Sequence, residues 1–329
     1  LALVLALGLP GCGAEKSIVV YTAVDQVFSE PILEKFSTET GIKVRQVYDV
    51  EAAKTTGLVN RLMAEKDKPQ CDVFWSNEFI QTILLQQKGV LAAYDSPSAK
   101  DIPTAFREQD GYWTGFGGRA RVLIVNTDLV APGQIPAKLL DLTETGVDPS
   151  KIGMSLPVFG TTATHAAALY AQLGRDNALA WHRSLKEKGV QVVDGNSVVR
   201  DMVAAGELAM GMTDTDDAYG AVNDGKPVRV VFLDQNEGDM GTLVNPNTVA
   251  LIAGGPNPAG GKQFIDWLLK PATEAELLRM GWIDLPCRDV GETSKNLGDQ
   301  QVKGMSVNLA DIYKKLEISK TDMTELFVQ

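Results

Sequence analysis

From Ile18 onward, short β-rich runs alternate with stretches whose apolar residues recur at helical spacing, and this alternation restricts the chain to helix-covered parallel sheets. Ile18 to Tyr21 predicts a strand; Phe28, Ile32 and Phe36 predict a helix stopped by Gly41; Ile42 to Tyr48 predicts the next strand. Leu58, Leu62 and Met63 mark a helix, Asp72 to Trp75 a strand, and Ile80, Ile83 and Leu84 a helix ending near Gly89. From Arg119 the pattern restarts. Strands are expected over 121–125, 152–156, 190–193, 208–212, 228–233 and 248–252, and helices over 162–173, 177–188, 197–205, 261–269 and 273–280. No low-complexity stretch, convincing repeat or Pro/Ser-rich linker separates the halves, so two α/β lobes joined by extended crossing strands fit better than two independent beads.

The 329 residues suffice for two domains of about 150 residues each. A hydrophobic content of 44% against 22% charged residues favours a packed fold over disorder. The net charge of −11 argues against nucleic acid and against a polybasic hold on anionic lipid. The nearly uncharged run from Leu1 to Gly11 is too short to cross a bilayer and ends in small residues before Cys12. It reads as a clipped export signal. The pattern Leu9, Pro10, Gly11, Cys12 resembles a bacterial lipoprotein processing site, which implies a lipid on Cys12 and a protein working outside the cytoplasm, anchored to a membrane. Cys71 and Cys287 then remain, as two buried thiols or one long-range disulfide. With two histidines, His165 and His182, and no Cys-x-x-Cys or paired-histidine spacing, zinc-type chemistry is not indicated.

Facing open sheets place strand ends and helix N-termini on a shared crevice. Gly160, Thr161 and Thr162 follow an expected strand and open an expected helix, as do Asn196 and Ser197; each set reads either as an anion cradle or as ordinary capping. Arg119 and Arg121 share a strand face, as an oxyanion contact or as solvent-exposed residues. Asp214, Asp216 and Asp217 place three carboxylates within four residues, either facing a cation or amine or capping a helix. The calcium-loop template fails there, because its sixth position falls on Tyr219. Asp25, Asn77 and Glu78 follow strands of the first half, as do Glu51, Lys54 and Thr55. His165 reads as a packed histidine and His182, beside Trp181, as helix surface.

The segments Ile18-Val-Val-Tyr21-Thr-Ala, Phe36-x5-Ile42-Lys-Val, Asp72-Val-Phe-Trp75, Gly118-Arg-Ala-Arg121-Val, Asn196-Ser-Val and Phe264-Ile-Asp-Trp-Leu resemble the ferric-iron-binding branch of ABC-transporter substrate-binding proteins, from about Ile18 to Arg288. The resemblance implies an α/β, two-lobed periplasmic-binding-protein fold of type II, two doubly wound sheets joined by crossing hinge strands. Lobe I is expected over 18–118 plus 248–290 and lobe II over 119–247. Residues 1–11 are the signal, 12–17 a lipid-anchored linker, and 291–329 C-terminal helices packed on a lobe. It also implies a monomeric receptor that hands its ligand to an ABC permease and its ATPase, without a cofactor. In that branch a histidine, a glutamate and two adjacent tyrosines hold iron beside a synergistic anion. The matching positions are Asp25, Asn77, Asp216 and Asp217, with Tyr219 a possible phenolate donor nearby, while Gly160, Thr161, Thr162, Asn196 and Arg119 match or resemble the anion side.

Carboxylates are hard oxygen donors, so Asp216, Asp217 and Asp25 are the metal candidates for ferric ion or another hard cation carried as cargo. An acidic cluster opposite an anion cradle also suits an aminoalkylphosphonate or a sugar phosphate. A metal-assisted phosphoester hydrolase using Asp214 to Asp217 is the alternative of another class. A ligand-sensing domain that signals to a membrane partner is a third.

Overall fold

The computed structural model describes residues 17–48, 56–298 and 300–328; Cys12, the preceding signal-like run, Glu51, Lys54 and Thr55 lie outside them. In the first half the chain forms β1 (Ser17–Thr22), α1 (Gln26–Thr40), β2 (Lys43–Tyr48), α2 (Thr56–Ala64), β3 (Val73–Ser76), α3 (Ile80–Gln87) and β4 (Leu91–Ala92). A long β5 (Thr114–Asn126) leads to β6 (Ile152–Ser155), α4 (Gly160–Leu173), α5 (Arg175–Glu187), β7 (Gln191–Val193), α6 (Asn196–Ala204), β8 (Met210–Asp214), α7 (Thr215–Asn223) and β9 (Val228–Val231). Then β10 (Val244–Ile252), α8 (Pro258–Leu268), α9 (Pro271–Arg279) and α10 (Leu309–Phe327) complete the described elements.

The strands follow the order β2-β1-β3-β10-β5-β8-β6-β7, with β4 on β10 and β9 on β5. Each half is covered on both faces, which explains why its strands read as near-continuous apolar runs rather than clean alternations. Along β1, Ile18 and Val20 join Phe36, Trp75 and Phe264 in one core, whereas Val19 and Tyr21 join Phe74, Leu62 and Ile83 on the other face. In the second half, Leu123 and Val125 pack with Met154 and Tyr170, and Val122 and Ile124 pack with Val199 and Val203.

The two halves meet along β5. Residues 114–120 of this strand, Gly117 excepted, pair with β10, whereas Arg121 to Asn126 pair with β8 or β9. The sequence pattern predicts only residues 121–125 as strand, because Gly115, Gly117 and Gly118 dilute the β signal. The glycines are needed for packing: Gly117 has φ +43°, and a Cβ there would meet Ile283 Cδ1 at 2.4 Å. β10 carries a register shift between Pro246 and Asn247, opposite the same glycines.

The C-terminal segment contributes one long helix among the described residues. α10 lies along α4 and also touches α5 and α3. Leu309 and Ile312, near its start, are buried in a core shared with α2 and α3, and Met323, near its end, in a core of the second half. Asp322 is fixed by Tyr170 Oη at 2.8 Å and by Arg175 Nε and Nη2, both at 2.8 Å. No helix among the described residues is long and apolar enough to cross a membrane.

Candidate functional site

Between the halves lies a cavity of about 550 Å³. Asp25, Asn77, Glu78, Arg119, Gly160, Thr161, Asn196, Ser197, Asp214, Asp216 and Asp217 all line it. Of the expected anion-cradle residues Gly160, Thr161, Thr162, Asn196 and Ser197, Thr162 alone stays out. It is 4% exposed and turns its hydroxyl inward to Asn196 Oδ1 at 3.2 Å.

Arg121 organises the floor. β8 runs two residues further than expected, so Asp214 is a strand residue paired with Arg121 and not part of a free acidic turn. Arg121 Nη1 donates to Asp214 Oδ1 at 2.9 Å and to Asn196 Oδ1 at 3.0 Å. Thr161 Oγ1 donates to Asp214 Oδ2 at 2.5 Å and accepts from Asn196 Nδ2 at 2.9 Å. These bonds tie β5, α4, α6 and β8 to one carboxylate. The expectation that the arginines are solvent-exposed is therefore overturned: the side chain of Arg121 is 1% exposed and that of Arg119 11%. The capping expectation for Thr161 and Asn196 also changes, because their side chains are spent on this network. α4 and α6 have no side-chain N-cap bond, which leaves the first-turn N–H groups of α4 facing the cavity. Gly160, at φ +58°, occupies the left-handed region that makes this entry turn possible.

Behind the floor, Arg121, Trp181, His165 and His182 line a void of about 10 Å³, on the order of one water molecule. Arg121 Nε and Nη2 and Trp181 Nε1 have no protein partner there. Burial and then the Arg121 charge hold His165 well below the usual histidine range, so it is a packed neutral imidazole. His182 is 2% exposed, with Nδ1 2.8 Å from the Ala178 carbonyl. It is not helix surface, since α5 turns it toward the core.

Above the floor the remaining acids also meet arginines. Arg119 Nη1 donates to Asp216 Oδ2 at 2.9 Å and its Nη2 to the Asn77 carbonyl at 3.2 Å. Its guanidinium also lies 5.4 Å from the centre of the Trp282 ring. Burial alone would lower the Arg119 pKa, but Asp216 and Asp214 outweigh it and hold the group charged. Arg200 Nη1 lies 3.4 Å from Asp217 Oδ1. Burial, reinforced by Asp216 and Asp214, pushes Asp217 up to about 6. Burial also raises Glu78 to about 7, although its carboxylate accepts from Ile80 N at 2.7 Å and Gln81 N at 2.9 Å. Asp216 Oδ1 is buried without a partner.

Among the described residues no group of three or more His, Cys, Asp or Glu side chains is disposed to hold a metal ion. The metal candidates Asp25, Asp216 and Asp217 line one cavity, with Asp216 and Asp217 turned toward arginines. Tyr219 does not line the cavity; it is 7% exposed and its phenol is pushed up by burial, so the proposed phenolate donor is withdrawn. Sequence reasoning missed Trp282, and also Leu316 and Lys320 of α10. Nothing local distinguishes that lysine from a helix-surface residue.

Residues 32–297 match the family described as bacterial extracellular solute-binding protein. The iron uptake protein A1 of Synechocystis is 25% identical over 281 residues, covering 80% of this chain and 74% of that one. A putative 2-aminoethylphosphonate-binding periplasmic protein of Salmonella typhimurium is 23% identical, covering 85% and 81%. The Trichodesmium FutA structure, in complex with iron and citrate, superposes with a TM-score of 0.83 at 21% identity, covering 95% of this chain and 100% of that chain. The two-lobed fold and the extent of the family match lead to one conclusion: this chain belongs to the bacterial extracellular solute-binding protein family.

Proposed function

We propose that this protein is the solute-binding receptor of an ABC importer, of the line that includes iron(III)-uptake proteins, capturing a small ligand between its lobes by hinge closure and transforming nothing. One observation carries this reading: a single cavity is lined by strand ends and helix starts of both halves, with β5 running continuously from one sheet into the other. Closing two lobes about such strands buries a ligand against both. The cleft contains arginine-paired acids and bare helix amides, and the Thr161 hydroxyl and Asp214 carboxylate are held in the ion-paired floor with Arg121, which favours binding over turnover. The receptor is proposed to act as a monomer outside the cytoplasm, held by a lipid on Cys12, and to dock on a permease served by an ATPase. Lobe I comprises 18–118 plus 248–290 and lobe II 119–247 in this reading, with α10 bearing on both.

The geometry favours an organic cargo with an oxyanion and a hydrogen-bond donor, such as an aminoalkylphosphonate or a sugar phosphate. Asp214, Asp216 and Asp217 each already face an arginine, so a bare trivalent ion would have to displace those cations. An oxyanion is served by the open amides of α4, and an amine or hydroxyl by Asp216 Oδ1. Ferric ion is the second reading, supported by the iron uptake relative and the hard oxygen donors of the cleft. Native mass spectrometry of the purified protein, with metal analysis on the same sample, separates them. A retained organic mass without metal supports the first reading, and iron at one equivalent supports the second.

A further inference from the structure

We propose that α10 is a wall of the binding site and that Lys320 is its specificity-determining cation, contacting the oxyanion of the cargo. This assignment rests on the cleft being the ligand site. Lys320 lines the cavity together with Leu316, one turn earlier on the same helix face. The helix lies wholly beyond residue 297, where the family match ends.

The helix holds its lysine in a fixed place. Ser319 and Met323 are fully buried on either side of Lys320, and Asp322 is clamped by Tyr170 and Arg175. Lys320 is therefore carried by a docked helix, with only its flexible stem left to adjust.

Charge then singles it out. Arg119 is taken by Asp216 and the Asn77 carbonyl, Arg121 by Asp214, and Arg200 by Asp217 and Asp201. Among the described residues Lys320 forms no ion pair, and its ammonium has no hydrogen-bond partner. An unengaged ammonium at a cavity wall offers three donors and a full charge to an oxyanion. The N-terminus of α4 opens on the same cavity and favours the same sign of ligand charge. A phosphonate, phosphate or carboxylate group fits both.

The test titrates the full chain by calorimetry with inorganic phosphate, 2-aminoethylphosphonate, fructose 6-phosphate and ferric citrate. Lys320→Met is expected to lose about tenfold or more in affinity for every oxyanion that the wild type binds, and Lys320→Arg to recover most of it. Lys315→Met, on the exposed face of α10, controls for net charge and should bind as wild type. Melting curves establish that each variant is folded. Ser197→Trp, which places an indole in the cavity, tests the cleft itself. If Ser197→Trp abolishes binding and Lys320→Met leaves it unchanged, the lysine assignment fails while the cleft stands. If neither variant alters affinity, both fail. A wild type that takes none of the oxyanions overturns the assignment as well.

Discussion

Arg119 donates to Asp216 across 2.9 Å, so a residue in the part of β5 that pairs with β10 is ion-paired to the first turn of α7. The same guanidinium bonds the Asn77 carbonyl beyond β3. One side chain thus joins the start of α7 to the segment after β3.

Asp216→Ala should lower stability by about 1.5–3 kcal/mol, since it leaves a mostly buried guanidinium short of its charged partner. Urea unfolding measures this directly. Asp216→Asn keeps the shape but loses the charge, so 2-aminoethylphosphonate should lose more affinity than inorganic phosphate, which presents no amine to this carboxylate. Equal losses for the two ligands would reject the role given to Asp216 Oδ1.

Arg121→Met should cost more, roughly 3–5 kcal/mol, because Asp214 would remain charged and buried without its cation. The double variant Arg121→Met with Asp214→Asn should regain part of that loss, as the stranded charge is removed. A single variant within about 0.5 kcal/mol of wild type, the range of ordinary surface substitutions, would show that this pair does not hold the floor together.

How the sequence announced these features depended on whether their cause was local. Alternating β-rich runs and 3.6-residue spacing sufficed for the sheet-and-helix order, because Ile18 to Tyr21 or Phe28, Ile32 and Phe36 carry their own pattern. The acids of the cleft were visible as strand-end residues. Their pairing was not: Asp214 meets Arg121 and Asp216 meets Arg119 across 93 and 97 residues, and no spacing rule reaches that far. Burial of the two arginines was hidden for the same reason. The glycines of β5 lowered its strand signal although the crossing requires them, and Lys320 reaches the cleft only because α10 docks on α4.

Acid titration should reveal Glu78 and Asp217. Both carboxyls have folded pKa values raised by burial, to about 7 and about 6, from ordinary values of 4.5 and 3.8. Between the unfolded and folded values the folded chain holds the extra protons, so each group's contribution to stability falls as pH rises through that window. For Glu78 the window runs from about pH 4.5 to about 7. Glu78→Gln should flatten that part of the profile, measured as urea midpoint against pH. A wild-type curve that rises from pH 5 to 7, with the variant parallel to it, would contradict the buried placement of this carboxyl.

Cys71 and Cys287 are both free and buried, at 0% and 7% exposure, which favours two thiols over the long-range disulfide. Cys71 Sγ lies 3.0 Å from the Val73 carbonyl in the core of the first half, and burial pushes both thiols up in pKa. A thiol that is both covered and protonated is a poor nucleophile. Ellman's reagent at pH 8 should therefore label neither residue in the folded protein except through local opening, and both should react promptly in guanidinium chloride without a reductant. Peptide mapping under non-reducing conditions decides between the alternatives, because a fragment joining the two cysteines would require the segments around Cys71 and Cys287 to meet. In the structure Cys71 packs with Val19 and Leu62 and Cys287 with the separate core of Ile283 and Trp282, so the map should recover two unlinked cysteine peptides.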